Sequence, residues 1–383
     1  MRIGLALSGG GTRAAVFHLG VIQRLAAGGL LERITKLSTV SGGSIVAALI
    51  FSHANNKWPT SDDYLKTIFP NLSRLLTSAD LFTLKAIWQS PNEWLNVFGN
   101  RPRIVANFLE KYWGVRGYLK NLGTPPEWLI NTTCVETGKN WRFSQCHMGD
   151  WVMGHHYDSP FKIAEAAAAS AAVPYVIGAL RFNLPEDGWY EIDPTNEQAR
   201  ERRERKFSAV TLWDGGVYEN LGLEPLYKLN RGMIGCDCVI VSDASGAMPI
   251  GKPASPLCLL RGDLSSPRLF DIASDQIRSL RSRMFVNALE KGDAVGALIR
   301  LGNSVRDIDL KAHRARSWND YGLFQSDCEA SLALKYPTNL SSLSDENFER
   351  VSRHGYEVTD ATLSAYCPAL APEEVDWREL ARA

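Results

Sequence analysis

The stretch STVSGGS at residues 38–44 contains a serine whose surroundings could make it reactive. At a sharp strand-to-helix turn the side chain of a serine projects away from the turn and is exposed. Small neighbouring residues are needed, because helix and strand must pack closely behind the serine. Gly42 and Gly43 meet this requirement for Ser41, and Thr39 stands two positions earlier, where such turns usually carry glycine. The pattern therefore predicts a G-x-S-x-G turn with its first glycine replaced, and Ser41 as a candidate nucleophile.

A second glycine-rich stretch, SGGGTR at residues 8–13, could hold a developing negative charge. An activated serine needs hydrogen-bond donors for the oxyanion that forms during attack. The backbone N–H groups of Gly9, Gly10 and Gly11 are candidates, since consecutive glycines approach an oxyanion without interference from a Cβ atom. This stretch and the one around Ser41 each open a predicted helix, whose first N–H groups lack partners within the helix.

A base for Ser41 is not evident among the seven histidines. His18, for example, lies inside the first predicted helix, where a structural role is the simpler interpretation. Asp214, in WDGGVYENLG, lies at the end of a predicted strand. It precedes Gly215 and Gly216, whose lack of a side chain permits other groups to approach Asp214 closely. An aspartate with an ordinary pKa of about 3.9 is a weak base, so proton transfer would have to be concerted with attack.

The first glycine stretch also allows a different interpretation. Gly9, Gly11 and Ala14 fit a G-x-G-x-x-A dinucleotide pattern, with Glu32 near the place expected for a ribose-binding acid. Such an acid should follow the second strand, whereas the second strand here leads directly into STVSGGS. No GK[ST] follows the glycines, which excludes a P-loop. A nucleotide-binding module is thus the alternative to a hydrolase.

The elements around these residues alternate between strand and helix. Residues 2–7 and 34–40 are short apolar or β-branched runs, and each is followed by a glycine turn and a helical pattern. Two such units within fifty residues favour a parallel α/β sheet. Further strands are predicted at residues 127–138, 141–147 and 236–246.

The other segments are less regular, and their predicted structures are as follows: a helical insertion or cap at 52–125, an alanine-rich helix at 161–174, a solvated loop or exposed helix at 183–207, a strand, turn, loop and helix at 209–229, an amphipathic helix at 270–300, and a C-terminal extension of uncertain structure at 300–383. Together they give one domain, 1–383, that contains the insertion.

Composition narrows the class of protein. Of the 383 residues, 45% are hydrophobic and 22% charged, as in a globular protein with a large core. The 42 basic and 42 acidic residues cancel, so no global field would attract nucleic acid or an anionic membrane. The seven cysteines include no CxxC pair, which argues against a disulfide framework or a zinc site. Without a signal-peptide pattern or an uninterrupted apolar span, a cytoplasmic location is expected.

Taken singly, Ser41 and Asp214 are ordinary turn or cap residues. In order, however, SGGGTR, TVSGGS, ASAAVP and DGG resemble the patatin-like phospholipase family over residues 2–230. This sequence departs from the family at three positions: Thr39 and Ala14 each replace a glycine, and Ser8 stands where some relatives have aspartate.

The resemblance implies a three-layer α/β/α fold with a mainly parallel central sheet, and a Ser-Asp dyad that hydrolyses lipid acyl esters through an acyl-serine. Ser41 would be the nucleophile and Asp214 the base, without metal or cofactor. The substrate would be a membrane or micellar glycerolipid, reached by peripheral membrane contact, and a regulated membrane-damaging phospholipase effector is an alternative within the family. The implied supporting residues are Gly9, Gly10 and Gly11 with Arg13 at the oxyanion hole, Thr39, Gly42, Gly43, Gly215 and Gly216 around the dyad, and Ser170 and Pro174 nearby.

Three further groups of residues are candidates for supporting roles. Asp243, at a predicted strand end, is expected to cap or orient neighbouring groups. Arg278, Arg281 and Arg283 form a basic patch that would either meet lipid headgroups or remain a solvated helix face. The aromatic residues of the insertion would pack a helical cap or enter a bilayer interface; they are Phe82, Trp88, Trp94 and Phe98.

Overall fold

The computed structural model describes residues 1–78, 101–158, 160–192, 200–246, 266–312, 324–338 and 342–370. Within them, twelve strands form one large mixed sheet, and helices flank it in three α/β/α layers. A separate pair, β11 with β12, makes a small hairpin. The predicted three-layer class is confirmed.

The strands follow the chain in this order: β1 Ile3–Leu7, β2 Ile34–Val40, β3 Glu127–Cys134, β4 Asn140–Phe143, β5 Met148–Asp150, β6 Gly154–His156, β7 Leu180–Asn183, β8 Trp189–Ile192, β9 Arg200–Arg202, β10 Ala209–Asp214, β11 Tyr227–Lys228, β12 Gly232–Met233, β13 Cys238–Asp243 and β14 Gly296–Arg300. Parallel pairing joins β14, β13, β1, β2 and β3, whereas the strands from β3 through β9 pair antiparallel. The parallel part contains both predicted strand-turn-helix units.

The main helices are α1 Gly11–Ala27, α2 Gly42–His53, α3 Ser61–Asp63, α4 Phe69–Ser78, α5 Arg101–Tyr112, α6 Ile163–Ser170, α7 Ser266–Lys291, α8 Val305–Lys311, α9 Asp327–Lys335 and α10 Asp345–Tyr366. A π-helical turn, Tyr64–Ile68, joins α3 to α4. Helices α1 and α2 are buried almost throughout because they lie between the sheet and other helices.

Helix α10 covers α1 at close range. A Cβ atom at Gly20 would overlap the backbone carbonyl of Ser352, and one at Gly355 would overlap the carbonyl of Phe17. Such close approach of two backbones requires glycine. The C-terminal region, which the sequence left uncertain, thus forms part of the same hydrophobic core as the first helix.

Several predicted elements differ from the structure. Helix α6 ends at Ser170, before Pro174, because the chain turns so that the Ala172 carbonyl can accept the Asp214 N–H at 2.9 Å. Within residues 183–207 the described part contains the strands β8 and β9 and the end of β7, because the backbone groups of these residues pair with neighbouring strands despite the polar composition. The predicted amphipathic helix at 270–300 ends at Lys291 and is followed by β14.

The segment after β10 was predicted to form a turn, a loop and then a helix, and the helix was wrong. The buried carboxylate of Glu219 accepts the N–H groups of Leu223 at 2.7 Å and Glu224 at 3.1 Å. These bonds hold turns in place of a helix, and the chain then enters the short strand β11. Side chains that compete for backbone donors in this way are a recognised alternative to helix formation.

Helices occur in the described parts of the predicted insertion, but its aromatic residues Phe82, Trp88, Trp94 and Phe98 lie outside the described residues. Among the helices that the structure describes, none combines the length and apolar composition needed to cross a bilayer.

Candidate active site

Ser41 occupies a strained turn between β2 and α2. Its backbone has φ 51° and ψ −116°, in a region that costs a residue with a side chain on the order of 1–3 kcal/mol. Its carbonyl accepts the N–H groups of Ser44 and Ile45, as expected at the start of a helix. Its hydroxyl makes no capping hydrogen bond to α2. The side chain is therefore not explained by the ordinary capping role of serine.

The register of β3 brings Ser41 and Asp214 together. Strand β2 runs parallel to β3 and ends with Val40 opposite Asn131. Strand β10 runs antiparallel to β3 and ends with Asp214 opposite Thr132. Strands β2 and β10 both pair with the edge of β3 that faces away from β4. Because they run in opposite directions, the carboxyl end of β2 meets the carboxyl end of β10. The residue after Val40 is Ser41, so it lies beside Asp214.

The Asp214 carboxyl group is buried and only partly satisfied. Its Oδ1 atom accepts the Gly216 N–H at 2.6 Å, while Oδ2 has no regular hydrogen bond among the described residues. Burial raises the pKa of Asp214 from 3.8 to about 6, and the Gly216 N–H and the Ser41 hydroxyl oppose this rise. The Ser41 hydroxyl is thus close enough to act on the carboxyl group, although the pair is looser than a regular hydrogen bond.

Glycines allow the elements around Ser41 to pack at backbone distance. A Cβ atom at Gly42 would overlap the Gly11 carbonyl, and one at Gly43 would overlap the Leu7 carbonyl. On the other side, a Cβ atom at Gly215 would overlap the Asn131 carbonyl. The predicted supporting glycines are therefore required by close contact with their neighbours.

The first glycine loop lies directly against Ser41. A Cβ atom at Gly9 would stand 3.0 Å from the Ser41 Cβ atom. Gly10 and Gly11 have φ values of 144° and 62°, which favour glycine. The first hydrogen bond of α1 is the one that the Ala14 N–H donates to the Gly10 carbonyl. The N–H groups of Gly10 and Gly11 are therefore among those that have no partner within the helix.

Asn220, which the sequence did not single out, lies between the glycine loop and Gly216, close to Asp214. Its carbonyl accepts the Gly9 N–H at 3.1 Å, so that N–H is engaged within the protein. Cβ atoms at Gly9 or Gly216 would clash with its side chain, which donates to the Ser245 hydroxyl at 2.9 Å. An asparagine four residues after the DGG motif was the available signal, but asparagine is common in loops.

A family model described as Patatin-like phospholipase matches residues 5–227, which is more than half of the chain. The chain belongs to this family. No curated protein matches the sequence.

This patatin-like chain is similar to two solved structures with the patatin-like fold. Human GIVD cytosolic phospholipase A2 has 14% sequence identity and a TM-score of 0.59, and the match covers 97% of this chain and 62% of that one. The same human protein in complex with methyl γ-linolenyl fluorophosphonate has 15% identity and a TM-score of 0.51, with 97% and 58% coverage. The chain thus spans about three fifths of the length of these structures.

In this patatin-like chain, Thr39 takes the place of the first glycine of the turn. It is fully buried, and its Oγ1 atom lies 2.8 Å from the Ser44 hydroxyl and 2.9 Å from the Trp128 indole nitrogen. Trp128 in turn stacks on Phe51 with ring centroids 5.1 Å apart. The larger residue is accommodated because its hydroxyl group is fully engaged.

Arg13 lies beneath the glycine loop. Its guanidinium group donates to the carbonyls of Tyr336 at 2.7 Å, Leu334 at 3.2 Å and Ala244 at 3.4 Å. Burial lowers the pKa of Arg13 to about 10. These bonds use the guanidinium group to tie the start of α1 to the C-terminal part of the chain, so it supports the loop and does not point to Ser41.

Other candidates from the sequence have structural partners. His18 is buried, with its ring nitrogens 2.8 Å from the Ser242 hydroxyl and 2.9 Å from the Ser8 carbonyl, and burial lowers its pKa to about 4. Glu32 precedes β2, at the opposite end of the strand from Ser41, and accepts from the N–H and hydroxyl of Ser61. No observation thus favours the nucleotide-binding alternative.

The basic patch is partly neutralised. Arg278 pairs with Asp243 at 3.3 Å, and Arg281 pairs with Glu224 at 2.9 Å, while Arg283 is exposed. Asp243 also accepts the Ser245 N–H at 3.0 Å, a bond to a neighbouring backbone group of the kind expected for it. In the described part of the chain, the His, Cys, Asp and Glu side chains form no group of three that could hold a metal ion.

Proposed function

We propose that this protein is a serine-dependent lipid acyl hydrolase of the phospholipase A or lysophospholipase type, with Ser41 as nucleophile and Asp214 as base. The observation that carries the proposal is the register of β3, which sets Asp214 beside the strained turn of Ser41. Membership of the patatin-like phospholipase family and similarity to human GIVD cytosolic phospholipase A2 support an acyl ester of a glycerolipid as the substrate.

In the first half-reaction, the Ser41 Oγ atom attacks the ester carbonyl carbon while its proton passes to the Asp214 carboxylate. A pKa of about 6 makes Asp214 a stronger base than an ordinary aspartate and leaves it mostly ionised at neutral pH. The tetrahedral intermediate then collapses, and the leaving alcohol or lysolipid takes the proton from Asp214. The product is an acyl ester on Ser41.

The oxyanion of this intermediate needs preorganised donors. The N–H groups of Gly10 and Gly11 are our candidates, because Gly9 donates to the Asn220 carbonyl. The start of α1 adds the positive end of its dipole to these donors. Each such donor contributes on the order of 3 kcal/mol to stabilisation of the transition state in other serine hydrolases.

In the second half-reaction, water attacks the acyl carbon of Ser41 and gives its proton to Asp214. Collapse of this second intermediate releases the fatty acid and returns the proton to the Ser41 oxygen. The cycle requires one water for each ester that is cleaved, and no redox or metal step.

The test is the Ser41→Ala variant. Fatty acid release from vesicles of mixed phosphatidylcholine, phosphatidylethanolamine and phosphatidylglycerol should fall at least about 10³-fold, since removal of a nucleophile abolishes the covalent route. Wild-type protein should be labelled by methyl γ-linolenyl fluorophosphonate, and the variant should not. Ser352→Ala, a buried serine of α10, is the matched control and should keep both properties. Hydrolysis by Ser41→Ala at the wild-type rate would refute the proposal.

A further inference from the structure

Ser41 is held in its turn through its backbone N–H, which donates to the Ser170 hydroxyl oxygen at 2.9 Å. Ser170 is the last residue of α6 and is fully buried. It lies 129 positions from Ser41 in the sequence, so nothing in the local turn provides this acceptor. The strained conformation of Ser41 is therefore supported from a separate element.

The Ser170 hydroxyl belongs to a chain of hydrogen bonds between buried groups. The groups at its two ends determine which member donates in each bond. The Trp128 indole N–H can only donate, and it meets Thr39 Oγ1 at 2.9 Å. The Asn131 carbonyl can only accept, and Ser170 Oγ lies 2.7 Å from it. Between them, Ser44 Oγ lies 2.8 Å from both Thr39 Oγ1 and Ser170 Oγ.

Each hydroxyl has one proton and two acceptor sites. Ser170 uses its proton on the Asn131 carbonyl, so Ser44 must donate to Ser170 and Thr39 must donate to Ser44. Ser170 then accepts from Ser44 and from the Ser41 N–H, which fills its hydrogen-bonding capacity. Every member is buried, and the chain has one consistent arrangement.

The same segment also holds the base. Two residues beyond Ser170, the Ala172 carbonyl accepts the Asp214 N–H at 2.9 Å. The Asp214 carbonyl accepts from the Thr133 hydroxyl at 2.8 Å, which ties it to β3. Residues 170–172 thus contact the backbones of Ser41 and Asp214 together.

We propose that Ser170 is a positioning residue, which keeps Ser41 in its reactive conformation and at its distance from Asp214, and that Ser44 acts through Ser170. This inference rests on the proposed hydrolase function. Ser170 does not touch the reacting atoms; it presents a lone pair to the Ser41 N–H, and the donor chain that starts at Trp128 fixes the orientation of that lone pair.

The experiment is a double-mutant cycle of Ser44→Ala and Ser170→Ala. Ser170→Ala should lower kcat for fatty acid release about 10- to 100-fold with KM changed less than about twofold, since the substrate surface is unaltered. Ser44→Ala should cause a smaller loss, and the double variant should match Ser170→Ala alone. Labelling by methyl γ-linolenyl fluorophosphonate should slow in the same proportion as kcat.

A control separates positioning from the general stability of α6. Ala167→Gly weakens the same buried helix without removing a hydrogen bond of the chain, and it should lower the melting temperature with little change in kcat. Wild-type kcat in Ser170→Ala, or independent losses that multiply in the double variant, would overturn the inference. If Ser170→Ala does not fold, an unchanged kcat in Ser44→Ala has the same force.

The outcome for Ser41→Ala distinguishes the two proposals. If that variant is inactive while Ser170→Ala keeps the wild-type kcat, the positioning inference fails and the hydrolase function stands. If Ser41→Ala hydrolyses lipid at the wild-type rate, the hydrolase mechanism fails, and the positioning inference fails with it.

Discussion

Asp214 combines a capping role with the chemistry proposed for it. One oxygen of its carboxyl group caps the short 3₁₀ turn at Gly215–Val217 by accepting the Gly216 N–H, which fixes the orientation of the group. The other oxygen is buried without a regular partner among the described residues. Burial disfavours the charged form, and this raises the pKa to about 6. The weakness of aspartate as a base is thus partly offset by its surroundings.

This pKa predicts the pH dependence of activity. The base must be ionised to accept the Ser41 proton, so kcat/KM should fall about tenfold for each pH unit below about 6 and reach a plateau above it. Fatty acid release measured between pH 4.5 and 8.5 tests this prediction. A profile that stays flat down to pH 4.5 would show that Asp214 is not the titrating base.

The same pKa predicts a pH-dependent effect of Asp214→Asn on stability. Because the folded-state pKa is raised, stability is greatest while the carboxyl group is neutral and is lost as the pH rises through about 6. The asparagine variant avoids this loss. The free energy of unfolding of the variant, relative to that of the wild type, should therefore increase between pH 4 and 8 by up to about 3 kcal/mol. Urea unfolding at several pH values measures the difference, and a difference independent of pH would contradict the prediction.

At the scale of elements, the two strand-turn-helix units are joined through their glycines. The start of α2 packs on the first residue of α1, Gly11, at Gly42 and on β1 at Gly43, with backbone against backbone. A rigid contact of this kind connects the turn that carries Ser41 with the loop that carries the proposed oxyanion donors. The relative position of Ser41 and the proposed donors is thus set by glycines in two different motifs.

Gly42→Ala should disturb this contact. The added methyl group would push on the Gly11 carbonyl, which a backbone cannot avoid by a change of rotamer, and overpacking of this kind costs about 1–3 kcal/mol. We expect a lower free energy of unfolding and a kcat reduced at least about tenfold. Gly123→Ala is the control, since its methyl group would lie 3.2 Å from the flexible Lys57 side chain and 3.7 Å from the backbone of Asn56 and Lys57. Equal kcat values in the two variants would argue against a role of the contact in catalysis.

At the scale of the whole molecule, the C-terminal helix α10 completes the layer that contains α1. Gly20 and Gly355 allow the two helices to touch, and a buried ion pair joins Arg24 to Asp360 at 2.6 Å. Arg13 adds a second link, because it bonds to the carbonyls of Leu334 and Tyr336. The loop near Ser41 therefore depends on residues more than 300 positions away.

Asp360→Ala tests this dependence. The variant leaves the Arg24 guanidinium buried without its carboxylate, and loss of one partner from a buried pair costs about 3–5 kcal/mol. Urea unfolding should show a loss of this size, and a second change, Arg24→Leu, should recover part of it. Asp237→Ala removes the partner of Arg2 in an exposed pair and should cause a much smaller loss, because solvent screens such a pair. Similar losses for the buried and the exposed pair would contradict the interpretation.

The two strand-turn-helix units and the glycine loop could be predicted from the sequence, because they depend on local apolar runs and on backbone positions that require glycine. The resemblance to the patatin-like family added Ser41 and Asp214 as candidates for a dyad. Tertiary structure decided how they meet. The end-to-end approach of β2 and β10 along β3 depends on long-range strand register, which local pattern does not encode. Long-range contacts also decided that Asn220 engages the Gly9 N–H and that Ser170 holds Ser41. The pKa of Asp214 likewise follows from burial by residues distant in the chain.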